Sequence, residues 1–118
     1  MSAGLTTHVL DISQGRPAKA VRIELYRLQE GWSDLLRAAV TNEDGRLPGP
    51  LLSGEDFTPG TYELVFHVGE YFRGAGVVLA DPPFLDQVPI RFGVAAADSH
   101  YHVPLLIAPW GYNTYRGS

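Results

Sequence analysis

The chain has 118 residues, of which 45% are hydrophobic and 19% charged, and this balance predicts one globular domain spanning residues 1–118. A formal charge of −4 with no block of Lys or Arg makes nucleic acid and anionic membranes poor partners. Cysteine is absent, which excludes disulfides, thiolate metal sites and a cysteine nucleophile.

The sequence has neither a signal peptide nor a membrane span. No basic segment followed by an apolar core opens it, and no apolar run approaches the roughly 20 residues that a spanning helix needs. We therefore expect a cytoplasmic protein.

The pattern of apolar residues predicts an all-β protein. Thirteen Gly and nine Pro separate short apolar runs, which is typical of a sandwich or barrel. The predicted strands, in chain order, are 5–12, 21–28, 35–41, 61–68, 88–94, 100–107 and 110–115. One short helix is predicted near 69–74. Gly45 closes a turn that requires a positive φ, and Pro89 places its strand at a sheet edge or a strand start.

Four histidines are the first candidates for chemistry. Strand residues two apart share a face, so Thr6 lies beside His8, and His100 beside His102. A single strand histidine is more often structural or solvated than catalytic. Because no cysteine and no convincing carboxylate accompanies the pair of histidines near the C-terminus, a zinc site is disfavoured.

Other candidate residues give no reaction by themselves. Arg46 follows a turn, where an arginine usually faces solvent. Asp11 lies on the strand face opposite His8 and is a poor orienting partner for it within that strand. No glycine-rich phosphate loop and no G-x-S-x-G elbow is present. The residues 115–118 read either as a solvated tail or as part of a site.

The motifs resemble the transthyretin-like family, and within it the branch of 5-hydroxyisourate hydrolases. The similarity covers nearly the whole chain. The segments that carry it are Leu5–Asp11, Gly15–Ala18, Asn42-x-x-Gly45-Arg46, Phe57-x-x-Gly60-x-Tyr62, His100–Leu106, Pro109 and Tyr115–Ser118. The His-Tyr-His-Val-Pro segment and the terminal Tyr-Arg-Gly-Ser are the specific part, because hormone-binding transthyretins lack both.

This resemblance implies a fold and an assembly. The fold is a two-sheet β-sandwich of about eight strands with one short helix. The assembly is a homotetramer, a dimer of dimers, with active sites in the channel between dimers.

The resemblance also implies the site. The catalytic positions carried over are His8, Arg46, His102 and Ser118, and the substrate-binding positions are His8, Arg46, Tyr115 and Arg116. No metal and no cofactor is implied. His67 is interpreted as structural, and the role of His100 stays open.

The implied reaction is hydrolysis of 5-hydroxyisourate, a small cyclic molecule, to 2-oxo-4-hydroxy-4-carboxy-5-ureidoimidazoline in urate breakdown. Imidazole suits proton transfer near neutral pH, while a guanidinium suits oxyanion binding. We favour His8 as the water-activating group and His102 as positioner or acid, although the sequence leaves base and acid unassigned. The alternatives are a non-catalytic transthyretin-like binding protein for small aromatic ligands and an immunoglobulin-like interaction domain.

Overall fold

The computed structural model describes residues 3–117 and contains eleven strands and one α-helix in that range. The strands are β1 (Gly4–Thr6), β2 (Val9–Asp11), β3 (Arg16–Pro17), β4 (Arg22–Gln29), β5 (Trp32–Val40), β6 (Leu52–Ser53), β7 (Gly60–Phe66), β8 (Val88–Val94), β9 (His100–His102), β10 (Leu105–Ala108) and β11 (Gly111–Thr114). Helix α1 spans Val68–Gly74, and a 3₁₀ turn spans Gly54–Asp56. Within the described residues, no helix has the length and apolar character to cross a membrane.

One layer of the fold is an antiparallel sheet in the order β5-β4-β7-β8. Pro89 lies in β8, which among the described strands pairs with β7 alone, so the predicted edge position is confirmed. The register of β4 against β5 shifts between Leu25 and Tyr26. The sequence shows the same shift, because the apolar positions change phase at that step.

The second layer brings the two ends of the chain together. Strand β1 pairs with β9 in parallel, with Thr6 opposite His102, and β2 pairs with β10 in parallel, with Val9 opposite Leu105. The offset is the same in both pairs. Strand β6 extends the first pair, while β3 and β11 flank the second.

The predicted strands 5–12 and 100–107 are therefore each interrupted, and in this detail the prediction was wrong. The breaks fall after Thr6 and after His102. Pro104 has no N–H to donate, so a regular ladder cannot pass through it. The amides of Val103 and Leu105 still donate to the carbonyls of Thr6 and His8, at 2.9 Å each, and these bonds hold the register across the break.

The core lies between the layers and takes side chains from both. Its fully buried members include Leu5, Val9, Ile23, Leu25, Leu64, Phe66, Leu105 and Ile107. Helix α1 follows β7 and adds Val68 and Phe72 to the same cluster. The predicted sandwich with one short helix is confirmed, and four of the eleven strands are halves of two interrupted ones. The short strands β3 and β6 and the 3₁₀ turn were not predicted.

Candidate active site

An open cleft of about 570 Å³ lies where the two chain ends meet the turn before Arg46. Its lining residues are Thr6, His8, Arg46, His100, His102, Tyr115, Arg116 and Gly117. Five of the six site residues predicted from the sequence are thus together. The sixth, Ser118, lies outside the described residues.

His8 and His102 form a close pair at the centre of the cleft. Nδ1 of His8 lies 2.7 Å from Nε2 of His102, and the two rings stack with centroids 4.8 Å apart. Both side chains sit where the parallel ladder is interrupted, one at each break. The pair therefore depends on the register between the first and last strands.

Thr6 links His100 to the His8–His102 pair through its hydroxyl group. Its hydroxyl oxygen lies 2.7 Å from Nδ1 of His102 and 3.0 Å from Nε2 of His100. Thr6 was not among the site residues predicted from the sequence. The available signal was its position two residues before His8 on the same predicted strand face.

Arg46 is held against the first strands by a tight turn. Asn42 Oδ1 accepts hydrogen bonds from the amides of Asp44 and Arg46, at 2.9 and 3.2 Å. Gly45 has φ 72°, and a Cβ there would collide with the carbonyl oxygen of Val9. The predicted positive φ is confirmed. Because the turn packs closely against β2, Arg46 forms a β-bridge with His8, and the arginine is turned toward the histidines.

The residues 115–117 close the other side of the cleft. The amide of Gly117 donates to the carbonyl of His102 at 2.7 Å. The guanidinium of Arg116 lies 4.0 Å above the Tyr101 ring and donates to the carbonyl of His100 at 3.4 Å. The segment is thus bound to β9, which supports the site interpretation over the solvated tail.

The histidines are in an electropositive and partly buried environment. Burial, and then the nearby Arg46 charge, lower the pKa of His8 below its ordinary value of 6.5. Burial first, then His8, Arg46 and His100, lower the pKa of His102 to about 4. No Asp or Glu lines the cleft in the described part of the chain. Both imidazoles are therefore neutral at pH 7 and can accept protons.

The three histidines do not converge on one point as metal ligands would. His8 and His102 direct ring nitrogens at each other, and His100 and His102 direct theirs at Thr6. Across residues 3–117, no cluster of three His, Cys, Asp or Glu side chains is arranged to hold a metal ion.

Three other titratable groups, Asp11, Tyr71 and His67, serve the fold instead of the cleft. Asp11 is fully buried, accepts a hydrogen bond from the Tyr71 hydroxyl at 2.8 Å and caps the turn that follows β2. Burial, reinforced by this bond to Asp11, raises the pKa of Tyr71 to about 12. His67 is buried at the start of α1 and bonds Glu24 at 2.9 Å, so it lies outside the cleft.

Known proteins similar to this chain match it over nearly its whole length. The chain is 62% identical to "5-hydroxyisourate hydrolase 2" of Rhizobium meliloti (strain 1021), over 99% of this chain and 98% of that one. Among solved structures, it matches (S)-allantoin synthase with a TM-score of 0.94 and 50% identity, over 99% of this chain but only 44% of that one. It matches Klebsiella pneumoniae 5-hydroxyisourate hydrolase over all of both chains, with a TM-score of 0.80 and 39% identity.

The family assignment rests on a match of nearly full length. The model of the HIUase/Transthyretin family matches residues 5–117, which include the described residues of the cleft and both halves of the sandwich. With a relative at 62% identity over almost the entire chain, this protein belongs to the HIUase/Transthyretin family.

Proposed function

We propose that this protein hydrolyses 5-hydroxyisourate to 2-oxo-4-hydroxy-4-carboxy-5-ureidoimidazoline. The observation that carries the proposal is the His8–His102 pair beside Arg46, in a chain 62% identical to a protein named 5-hydroxyisourate hydrolase 2. The chemistry requires a neutral base near a cation, and the lowered pKa values of both histidines meet that requirement.

His8 is the general base in this mechanism. Its Nδ1 is occupied by His102, so Nε2 is the ring nitrogen available to a water molecule in the cleft. When the water oxygen bonds to the ring carbonyl carbon, its proton moves to Nε2. General base assistance of this kind contributes typically about 10²–10⁴ in rate.

Arg46 stabilises the oxyanion that forms on the attacked carbonyl. Its guanidinium is always cationic and presents a planar set of donors. When the ring C–N bond breaks, the protonated His8 donates its Nε2 proton to the leaving nitrogen, and the histidines return to their neutral state. Arg46 acts as a fixed charge throughout and transfers no proton.

We propose that residues 115–118 contribute to substrate binding. Tyr115 and Arg116 line the cleft, and we assign them to substrate binding. We assign Ser118 a hydrogen bond to the substrate. A serine nucleophile is disfavoured because Asp11, the buried carboxylate nearest in sequence to His8, is bonded to Tyr71 instead of a histidine.

The active form that we propose is a homotetramer, a dimer of dimers, of single-domain chains. The support is the open cleft together with exposed aromatic side chains in the segment 110–115, of which Tyr115 lines the cleft. Trp110, Tyr112 and Tyr115 are 66%, 46% and 56% exposed, and β11 is an edge strand. Such a surface suits burial against a second copy. A metal-free reaction and a cytoplasmic location remain predictions from the sequence.

The alternative, a binding protein for small aromatic ligands, predicts a different outcome in a direct assay. Freshly generated 5-hydroxyisourate decays slowly and absorbs in the ultraviolet, so turnover is measured as faster decay with the protein present. We expect acceleration, unchanged by a chelator, that falls by about 10²-fold or more in His8→Ala and His102→Ala.

His67→Gln is the matched control for these variants. It alters a buried histidine outside the cleft, so it should lower the melting temperature while leaving kcat near the wild-type value. Wild-type kcat/KM in both cleft variants would contradict the assignment of proton transfer to this pair, and ligand binding without turnover would favour the alternative.

A further inference from the structure

Four side chains in the cleft form one continuous line of hydrogen bonds. It runs from His8 Nδ1 to His102 Nε2, from His102 Nδ1 to Thr6 Oγ1, and from Thr6 Oγ1 to His100 Nε2. The three distances are 2.7, 2.7 and 3.0 Å. The mechanism above uses only the first of these bonds.

The direction of the whole line is fixed by its first member. A neutral imidazole carries one N–H, and a hydroxyl has one hydrogen to donate. If His8 is to accept a proton at Nε2, its own hydrogen must be on Nδ1 and be donated to His102. His102 then carries its hydrogen on Nδ1 and donates it to Thr6, whose hydroxyl donates to His100.

We propose that Thr6 is a positioning residue that sets these tautomers and relays the proton collected by His8 to His100. The inference rests on the proposed function. As the water O–H bond breaks, the proton binds Nε2 of His8, and the Nδ1 proton of His8 moves to Nε2 of His102. The Nδ1 proton of His102 then moves to Thr6, and the hydroxyl proton of Thr6 moves to Nε2 of His100.

The relay conserves charge and returns the site to its starting state. Hydroxide has been added to the carbonyl carbon, and one imidazolium has formed at His100. When the ring C–N bond breaks, each proton moves back along the line. His8 then donates its Nε2 proton to the leaving nitrogen, so all three histidines are neutral again.

The surrounding charges favour moving the proton away from His8. Arg46 faces both His8 and His102 and opposes a positive charge on either ring. No carboxylate lines the described cleft to stabilise an imidazolium in place. Arg116 is the charge nearest the far end in the described residues, and its guanidinium is bonded to the backbone carbonyl of His100 and stacked on Tyr101 instead of contacting the His100 ring.

The test compares Thr6→Val, which keeps the shape and removes the hydroxyl, with Thr6→Ser, which keeps the hydroxyl. We expect Thr6→Val to lose about 10- to 100-fold in kcat with KM changed less than about threefold. This is less than the full factor of about 10²–10⁴ that general acid–base assistance contributes, because His8 itself is retained. Thr6→Ser should stay within about threefold of wild type. His100→Gln should show the same kcat loss as Thr6→Val. Thr58→Val is the matched control, since Thr58 binds Arg27 and Tyr62 outside the cleft.

A measurement without substrate separates this inference from the proposed function. The ¹⁵N chemical shifts of the histidine rings in the wild-type protein should show His8 and His102 protonated on Nδ1 at pH 7, and Thr6→Val should shift the His102 signals. A protonated Nε2 on His102 would overturn the assigned direction. Equal loss of kcat in Thr6→Val and Thr6→Ser, or wild-type kcat in Thr6→Val while His8→Ala is inactive, would overturn the relay but leave the hydrolase assignment intact.

Discussion

Gly117 should be required for turnover because it leaves room for the His102 ring. A Cβ at this position would lie 2.9 Å from Cδ2 and 3.3 Å from Cβ of His102. Carbon atoms in ordinary contact are about 3.5–4.0 Å apart, so in Gly117→Ala the ring must move by roughly 0.6 Å or more. Both side-chain hydrogen bonds of His102 are 2.7 Å long. A shift of that size directed away from one partner lengthens that bond to about 3.3 Å, beyond the usual range.

The expected loss follows from the sensitivity of catalysis to misplacement. A displacement of 1 Å can cost about 10²-fold in rate, so we expect kcat of Gly117→Ala to fall by about 10- to 100-fold. The change lies outside the core, so the melting temperature should change little. Gly111→Ala is the matched control, since Gly111 lies in the preceding strand β11 and an added Cβ there has no neighbour within 4 Å. Wild-type kcat in Gly117→Ala, or an equal loss in Gly111→Ala, would refute this reasoning.

Three further predictions concern Arg46, acid stability and the turn at Gly45. Arg46→Lys keeps the charge and loses the planar donors, so kcat/KM should fall by the equivalent of about 2–4 kcal/mol. The control is Arg91→Lys, a change at an exposed, ion-paired arginine, which should behave as wild type. Near-normal kinetics in Arg46→Lys would limit the role of Arg46 to a diffuse charge. His102 has a pKa of about 4 when folded and 6.5 when unfolded, so the unfolded chain binds more protons between these values. Stability should therefore fall by up to about 3 kcal/mol as the pH drops from 6.5 to 4, and urea titrations of His102→Gln should show a flatter profile of stability against pH. Gly45→Ala combines φ 72° with a clash against β2, so thermal unfolding should show a loss of about 2–4 kcal/mol in stability, together with impaired turnover. The control Gly15→Ala is also at positive φ but has open space around it, so it should lose only about 1–2 kcal/mol in stability. Equal losses in the two variants would disprove the clash.

The sequence predicted the strands well where local signals were strong. The alternation in β4 and β7, the proline of β8 and the glycine at position 45 each act within a few residues, and each was confirmed. The breaks after Thr6 and His102 were missed because a pattern of period two does not reveal where a strand loses its ladder. The strands β3 and β6 have only two residues each, too few to show alternation.

The family resemblance predicted residues that lie together in the cleft, but it did not predict how they are arranged. Because strand residues two apart share a face, the sequence predicted that Thr6 lies beside His8 and His100 beside His102. The contact between those two groups depends on parallel pairing of strands far apart in sequence, and no local pattern encodes that register. The link through the Thr6 hydroxyl therefore became visible only in the structure.

The parallel pairing of β1 with β9 also determines when during synthesis the cleft can form. His102 and Gly117 emerge from the ribosome more than ninety residues after His8. A nascent chain therefore exposes an unpaired β1 edge and its apolar side chains until β9 has been synthesised. Pairing over so long a separation has a high loop-closure cost, which makes folding slow. Premature stop products that lack β9 and β10 should be captured by chaperones or proteases instead of retaining partial activity.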